Sequence, residues 1–370
     1  MEGQMILGID VSTYLEELEN GAEFYDGDRR IDPLDAFIEN GVDWMRIRIW
    51  NDPHSSEGEP YLAGTCDLDH YVRLAGLAKE KGYKILMDLH YSDFWADPGK
   101  QIIPKAWQGL DVDGLAAAVY DFTERCLNTA IENGVAPGMI QIGNEITKGI
   151  LWPLCQLEGD DGKRGNYDNF FKVIGAGCRA VRKTSPETKI ILHLERSNNK
   201  EVYQEFFSEA ERRGIEYDVI GVSYYPFYHG TPDELFDNLN ACKRFGKEIV
   251  LAEVGYGFTT EGYEMGGEIR PLIITTGGVS DPYITEAFPI TPEGQAKYFE
   301  YLISRCKENG IAGAFYWEPL WIPGENIHWA SRAAQKYVGE EGFPTLNQWC
   351  NQCLFDYNGI KLPAFDKYTI

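Results

Sequence analysis

A single-domain α/β fold, the (β/α)8 or TIM barrel with long loops on the face where its strands end, is what this sequence predicts. Three observations carry that expectation. Eight short β-branched runs alternate with amphipathic stretches along 370 residues, and eight strands with crossover helices are the number that closes a parallel sheet on itself. No low-complexity linker divides the chain. No Gly-rich phosphate loop follows the first run, which argues against the competing doubly wound open sheet.

The strand-like runs fall at residues 5–10, 44–50, 84–90, 138–144, 189–194, 219–225, 248–253 and 313–317. Each is short and rich in Ile, Val, Leu or aromatic residues, as a buried strand requires. Between them, apolar residues recur at helical spacing over 69–81, 115–133, 169–184, 201–213, 232–245 and 292–309. Several of these stretches stop at a glycine just before the next strand, as at Gly41, Gly82, Gly134 and Gly310, a common C-terminal signal. Segments after the strands are longer than those before them. The longest, about 255–289, is rich in Gly and Thr and reads as having no clear helix. Long loops on one face are where a barrel keeps its site.

Composition narrows the partner. A formal charge of −24 repels nucleic acid and anionic membrane alike. No run of some 18 apolar residues is present to span a bilayer. Nine Trp and 22 Tyr make an aromatic surplus that suits a neutral carbohydrate, because the apolar face of a sugar ring lies flat on an indole. A chain acting as a monomer on such a substrate is the expectation. The eight cysteines are scattered, and Cys350 and Cys353 have no partner pair or nearby His, so free thiols in a reducing compartment are expected. With no signal peptide ahead of the first strand, the expected place is the cytoplasm, although a secreted enzyme with its leader removed would begin the same way.

Two carboxylates carry the chemistry. Glu145 follows Asn144 at the end of the apolar run 138–144, and Glu253 ends the run 248–253. Two glutamates at the mouths of two parallel strands are what glycosidic cleavage needs, one to protonate the leaving oxygen and one to attack or to position water. Neither run offers a neighbouring Arg or Lys to make the acid a structural ion pair.

Arg46 and Arg48 alternate on one strand and so share a face. An inward Arg near Glu253 would hold that carboxylate ionised; a buried Arg bridging strands is the equal alternative. His90 stands two residues beyond Asp88 on one face, either as a satisfied core group or as part of the site, and the loop beyond it is dense in sugar-binding side chains, Trp95 among them. His193 and the Ser223, Tyr224, Tyr225 run are placed likewise. Trp317 ends the last strand, where it floors a sugar pocket or caps the barrel. Asp160, Asp161, Glu261, Glu264 and Glu268 lack calcium-loop spacing, and no metal or cofactor is expected.

At these residues the chain resembles family 53 of the glycoside hydrolases, endo-β-1,4-galactanases of the clan A retaining barrels that cut arabinogalactan side chains of pectin. The matching pieces are Asp88 to Pro98 (Asp-Leu-His-Tyr-Ser-Asp-Phe-Trp-Ala-Asp-Pro), Gln141 to Ile146 with Gly149, Trp152 and Pro153, and Gly221 to Phe227 with His229 and Gly230. Further on come Ala252 with Glu253, Thr291 to Gln295, Phe315 to Pro319 with Trp321 to Pro323, and Leu354 to Gly359 with Leu362 and Pro363. They keep the family's order from the first strand nearly to the C-terminus.

The resemblance implies Glu145 as general acid/base and Glu253 as nucleophile. It implies Asn144 on the sugar 2-hydroxyl, Arg46 rather than Arg48 supporting the nucleophile, and His90 and Tyr225 lining the cleavage subsite, with Tyr225 rather than Tyr224 steering Glu253. Trp317 would be the platform under the reacting sugar and Trp95 a stacking surface beyond it. Retention implies carboxylates about 5 Å apart, too close for an intervening water. Departures from the family pattern are Val254 to Phe258 after Glu253, and Glu195 with Arg196 after His193 and Leu194. Some relatives bind calcium in a longer loop after the seventh strand, and its ligands are not recognisable here. The rivals are the same chemistry on mannan, xylan or β-glucan, a carbohydrate-binding barrel without turnover, and a phosphate-binding barrel enzyme. For the last, Gly277 and Gly278 lie too far from a helix start.

Overall fold

The computed structural model describes residues 5–159, 161–274 and 282–368. Eight strands, β1 (Ile6–Asp10), β2 (Trp44–Ile49), β3 (Lys84–Leu89), β4 (Met139–Ile142), β5 (Lys189–Leu194), β6 (Val219–Tyr224), β7 (Glu248–Val254) and β8 (Gly313–Trp317), pair in parallel in sequence order. Pairing of β1 with β8 closes the barrel, as the alternation predicted.

The crossover helices are α1 (Pro33–Glu39), α2 (Leu68–Lys81), α3 (Val112–Glu132), α4 (Tyr167–Thr184), α5 (Lys200–Arg212), α6 (Pro232–Cys242) and α7 (Pro292–Glu308). A last helix, α8 (Pro363–Lys367), completes the ring. Its Phe365 stacks on Phe37 of α1 at 4.3 Å between centroids, joining the two ends of the chain. The starts are set by side-chain caps. Asp67 and Asp111 each take a first-turn N–H, and Thr231 with Glu234 forms a full capping box. Gly82 ends α2 at φ +95°, a conformation that an L side chain would resist.

Alternation along the strands divides the molecule into two apolar regions. Outward residues such as Met45, Ile47 and Ile49 pack beneath the helices. Inward residues at the strand N-termini, Trp44, Leu86, Met139, Ile191, Val219, Val250 and Phe315, form a separate plug inside the barrel. Gly8 is required there, since a β-carbon on it would collide with the Phe315 ring. Above the plug the inward positions turn polar: Asp10, Arg46, Arg48, Asp88, Gln141, His193 and Ser223 are all buried. A barrel whose floor is dry and whose ceiling is charged has its chemistry at the ceiling.

The segment after β7 departs from expectation. It holds a short hairpin, Glu264–Met265 with Glu268–Ile269, and a helix, Pro282–Ala287. The Gly and Thr content that suggested irregular chain supplies the turn of that hairpin at Gly266 and Gly267, both at positive φ. Asp160, Gly277 and Gly278 lie outside the described residues.

Candidate active site

Arg46 occupies the centre of the polar layer. Its Nη1 donates to Asp10 at 2.6 Å, and its Nη2 lies 2.8 Å from Asp88, 2.8 Å from the Asn144 side-chain oxygen and 2.9 Å from Glu253. One guanidinium thus joins the ends of β1, β3, β4 and β7, so it both bridges strands and grips the acid. Burial disfavours its charge, but Asp88, Glu253 and Asp10 outweigh that and hold it firmly protonated. Arg48, two residues further along, pairs instead with Glu318 at 2.5 Å and with the Ala63 carbonyl at 2.8 Å, and lies over the Trp95 ring at 4.2 Å.

Glu253 reaches this point through an irregularity. The β6–β7 register slips after Val222, which sets Ser223 opposite Glu253. Its second oxygen accepts the Tyr225 hydroxyl at 2.9 Å. Burial lifts the carboxyl to about 7, with Arg46 and the Tyr225 hydrogen bond pulling the other way. Tyr224 takes no part, since its hydroxyl donates outward to the Gly230 carbonyl.

Glu145 is held differently. Gly143 (φ +84°) and Glu145 itself (φ +48°) turn the chain sharply at the end of β4, and a non-glycine residue in that region is held there by its surroundings. Among the described residues no cation forms an ion pair with it, and no cation is among the main influences on its charge. Burial raises its pKa well above the ordinary carboxyl value, the charges of Glu253 and Glu195 push further, and a Ser223 hydroxyl bond opposes them. Behind Ser223 stands His193. Its Nδ1 lies 2.9 Å from the Gln141 amide nitrogen, 3.0 Å from the Asn144 side-chain oxygen and 3.4 Å from the Glu145 backbone nitrogen, and its Nε2 lies 2.9 Å from the Ser223 hydroxyl. Burial and Arg46 keep that ring neutral.

Both carboxylates open into one cleft of about 910 Å³, which Arg46, His90, Trp95, Asn144, Tyr225 and Trp317 also line. All eight residues to which the family resemblance gives a role therefore meet in one cleft. His90 is satisfied and lines the cleft at once: Nδ1 accepts from Trp50 and Ala96, and Nε2–H goes to Asp88 at 3.0 Å. Asn144 gives one amide hydrogen to the Ala96 carbonyl at 2.9 Å, leaving a second for a ligand. Trp317 is half-buried with Trp95 at 6.2 Å and Tyr225 edge-on at 6.5 Å, so it walls the cleft rather than capping the barrel.

Sequence reasoning assigned no role to Asp10 and Gln141, which hold the polar layer, or to the far wall of Trp321, Trp329 and Trp349. Asp10 was visible as the acid closing the first strand. The Trp wall comes from irregular chain after β8, where no periodicity marks which residues turn inward. Among the described residues, no group of three or more His, Cys, Asp or Glu is arranged to hold a metal ion.

Comparison with known proteins gives a consistent result. The profile described as "Glycosyl hydrolase family 53" matches residues 6–368. An endo-β-1,4-galactanase of Bacillus subtilis (strain 168) is 33% identical, over 100% of this chain and 86% of its own length. An arabinogalactan endo-β-1,4-galactanase of Cellvibrio japonicus is 32% identical over 87% and 84%. Among solved structures, the Ignisphaera aggregans GH53 catalytic domain superposes with a TM-score of 0.85 at 36% identity, covering 98% of this chain and 95% of that one.

Proposed function

The chain belongs to glycosyl hydrolase family 53 and is a glycoside hydrolase, and from that premise we propose that it cuts β-1,4-galactan internally with retention of configuration. The relatives named for endo-β-1,4-galactanase activity support the substrate. The carrying observation is the unequal treatment of two buried acids in one cleft: Glu253 has a guanidinium and a phenol, and Glu145 has neither.

That inequality orders the protons. As pH rises, Glu253 ionises first while Glu145 keeps its proton, which is the state a double displacement starts from. Glu253 attacks the anomeric carbon of a sugar lying on Trp317, and Glu145 protonates the departing oxygen. Asn144 turns its spare amide hydrogen to the 2-hydroxyl of the same sugar, a bond that strengthens as charge develops. Glu145, now a base, takes a proton from water, and the hydroxide releases the glycosyl group from Glu253. No cofactor enters this scheme. Both acids and their supports come from one polypeptide, which fits a monomer. The eight cysteines are free and buried, which fits action in a reducing compartment on oligosaccharides brought into the cell.

The test is a panel of galactan, mannan, xylan and β-glucan with products followed by chromatography. Internal cuts in galactan, with a shortening ladder of oligomers, are the expected outcome. Preference for another polymer would move the substrate while leaving the chemistry. Binding without cleavage of any polymer would sink the proposal.

A further inference from the structure

We propose that Glu195 is a substrate-binding residue, its carboxylate accepting hydroxyl hydrogens from the sugar on the leaving side of the cut bond. The inference rests on the acid/base role of Glu145 given above. Glu195 stands two residues beyond His193 on the same inward line of β5, at the wall of the cleft. It is only 2% exposed, yet among the described residues neither of its carboxylate oxygens accepts a hydrogen bond.

Its neighbours are engaged elsewhere. Thr147 exchanges hydrogen bonds with the Glu195 backbone, at 3.2 and 3.5 Å. Arg196, at φ +55°, sends both terminal nitrogens to Glu158 at 2.8 and 2.7 Å, so only its Nε approaches Glu195, at 3.6 Å. A buried carboxylate with one cation at 3.6 Å and no hydrogen bond is costly. A cleft that carries one is shaped for a ligand that brings its own donors, and sugar hydroxyls are such donors.

Position selects which sugar. Glu195 follows β5, the neighbour of β4, and Thr147, two residues beyond Glu145, bonds its backbone, whereas Glu253 stands at the end of β7, two strands away. The indoles of Trp95, Trp317 and Trp321 run along the β3 and β8 side, 6.2 and 5.8 Å apart in turn. The transferred sugar therefore lies toward the indoles, and the leaving sugar lies toward Glu195. An acidic wall there favours a neutral hexose and repels a uronic acid.

The experiment compares Glu195→Gln with wild type on two substrates: the polymer that wild type cuts best in the panel above, and a methyl glycoside of the matching disaccharide. Methanol leaves from the same place and needs the same proton from Glu145, but it has no sugar hydroxyls. A lost bond to a charged acceptor should lower kcat/KM on the polymer about ten- to a hundredfold, with the methyl glycoside losing less than about threefold on the same reasoning. A ratio of the two losses near one, whatever their size, overturns the proposal, because a structural or purely electrostatic role affects both equally. Should that variant fail to fold, Glu195→Asp shortens the reach and must give the same split. Because the polymer is chosen by wild-type activity, a failure of the galactan assignment leaves this test intact.

Discussion

The surroundings of Glu253 and Glu145 differ more than their burial does. Both side chains are nearly enclosed, at 6% and 9% exposure. Burial alone would raise both pKa values and leave two protonated acids, of which neither could attack. Glu253 sits against Arg46 and Tyr225. Glu145 receives one neutral hydroxyl, from Ser223, which is backed by the neutral His193 and Gln141. The contrast teaches that in this barrel the role of an acid is set by which charge stands beside it, since depth is common to both.

Removing the acids tests the contrast most severely. Glu253→Gln should lower kcat on the polymer by about 10⁴-fold or more, as loss of a nucleophile does elsewhere. Glu145→Gln should cost about 10²- to 10⁴-fold, the usual span for a general acid. Stereochemistry distinguishes the two positions. With an activated aryl substrate and azide, Glu145→Ala should give the glycosyl azide of retained configuration, and Glu253→Ala the inverted one. The reverse pattern would exchange the two roles. Wild-type rates in either Gln variant would remove the pair from the mechanism.

Much of this site is legible in the amino-acid sequence. Strand ends are marked by β-branched runs that stop at a polar residue, and a parallel barrel gathers all such ends on one face. That is why Asn144, Glu145, Glu253, His90 and Trp317 can be found from the order of residues alone. What that order does not carry is depth. Arg46 and Arg48 share a face, and only the spacing of about 6.6 Å between alternate residues of a strand separates them. That step decides whether the guanidinium meets Glu253 or Glu318. Nor does it place Trp329 and Trp349, which reach the cleft on irregular chain whose path depends on tertiary contacts, such as the 2.6 Å bond from the Trp329 indole to the Pro344 carbonyl.

The cation beside Glu253 can be weakened without being deleted. The pH profile of kcat/KM should rise as Glu253 loses its proton, near pH 7 where burial sets it, and fall as Glu145 loses its own. Arg46 lowers the Glu253 pKa, so Arg46→Lys, with fewer donors to share among Asp10, Asp88 and Glu253, should move the acid limb to higher pH and leave the alkaline limb in place. Loss of one charge-assisted bond predicts a fall of about ten- to a hundredfold at pH 6. The same change should lower the melting temperature, since buried carboxylates lose part of their pairing, and full removal of such a partner typically costs about 3–5 kcal/mol. An alkaline limb that moves with the acid one would mean that Arg46 governs both acids and that the asymmetry is not its doing.

Tyr225→Phe is the gentlest way to sharpen the contrast. The phenol is half-buried, and its pKa is raised by desolvation and by Glu253, so it acts as a donor throughout the working range. It gives Glu253 a single bond at 2.9 Å and, among the described residues, hydrogen-bonds no other charged group. Losing a bond worth about 1.5 kcal/mol should raise the Glu253 pKa by about one unit, since one unit is 1.36 kcal/mol. The acid limb should shift by that much and kcat/KM at pH 6 fall by about tenfold on the same arithmetic. The phenyl ring keeps its edge against Trp317, so KM and melting temperature should hardly change. A large rise in KM with an unmoved acid limb would instead make Tyr225 a wall for the sugar, leaving Arg46 alone to set Glu253 apart from Glu145.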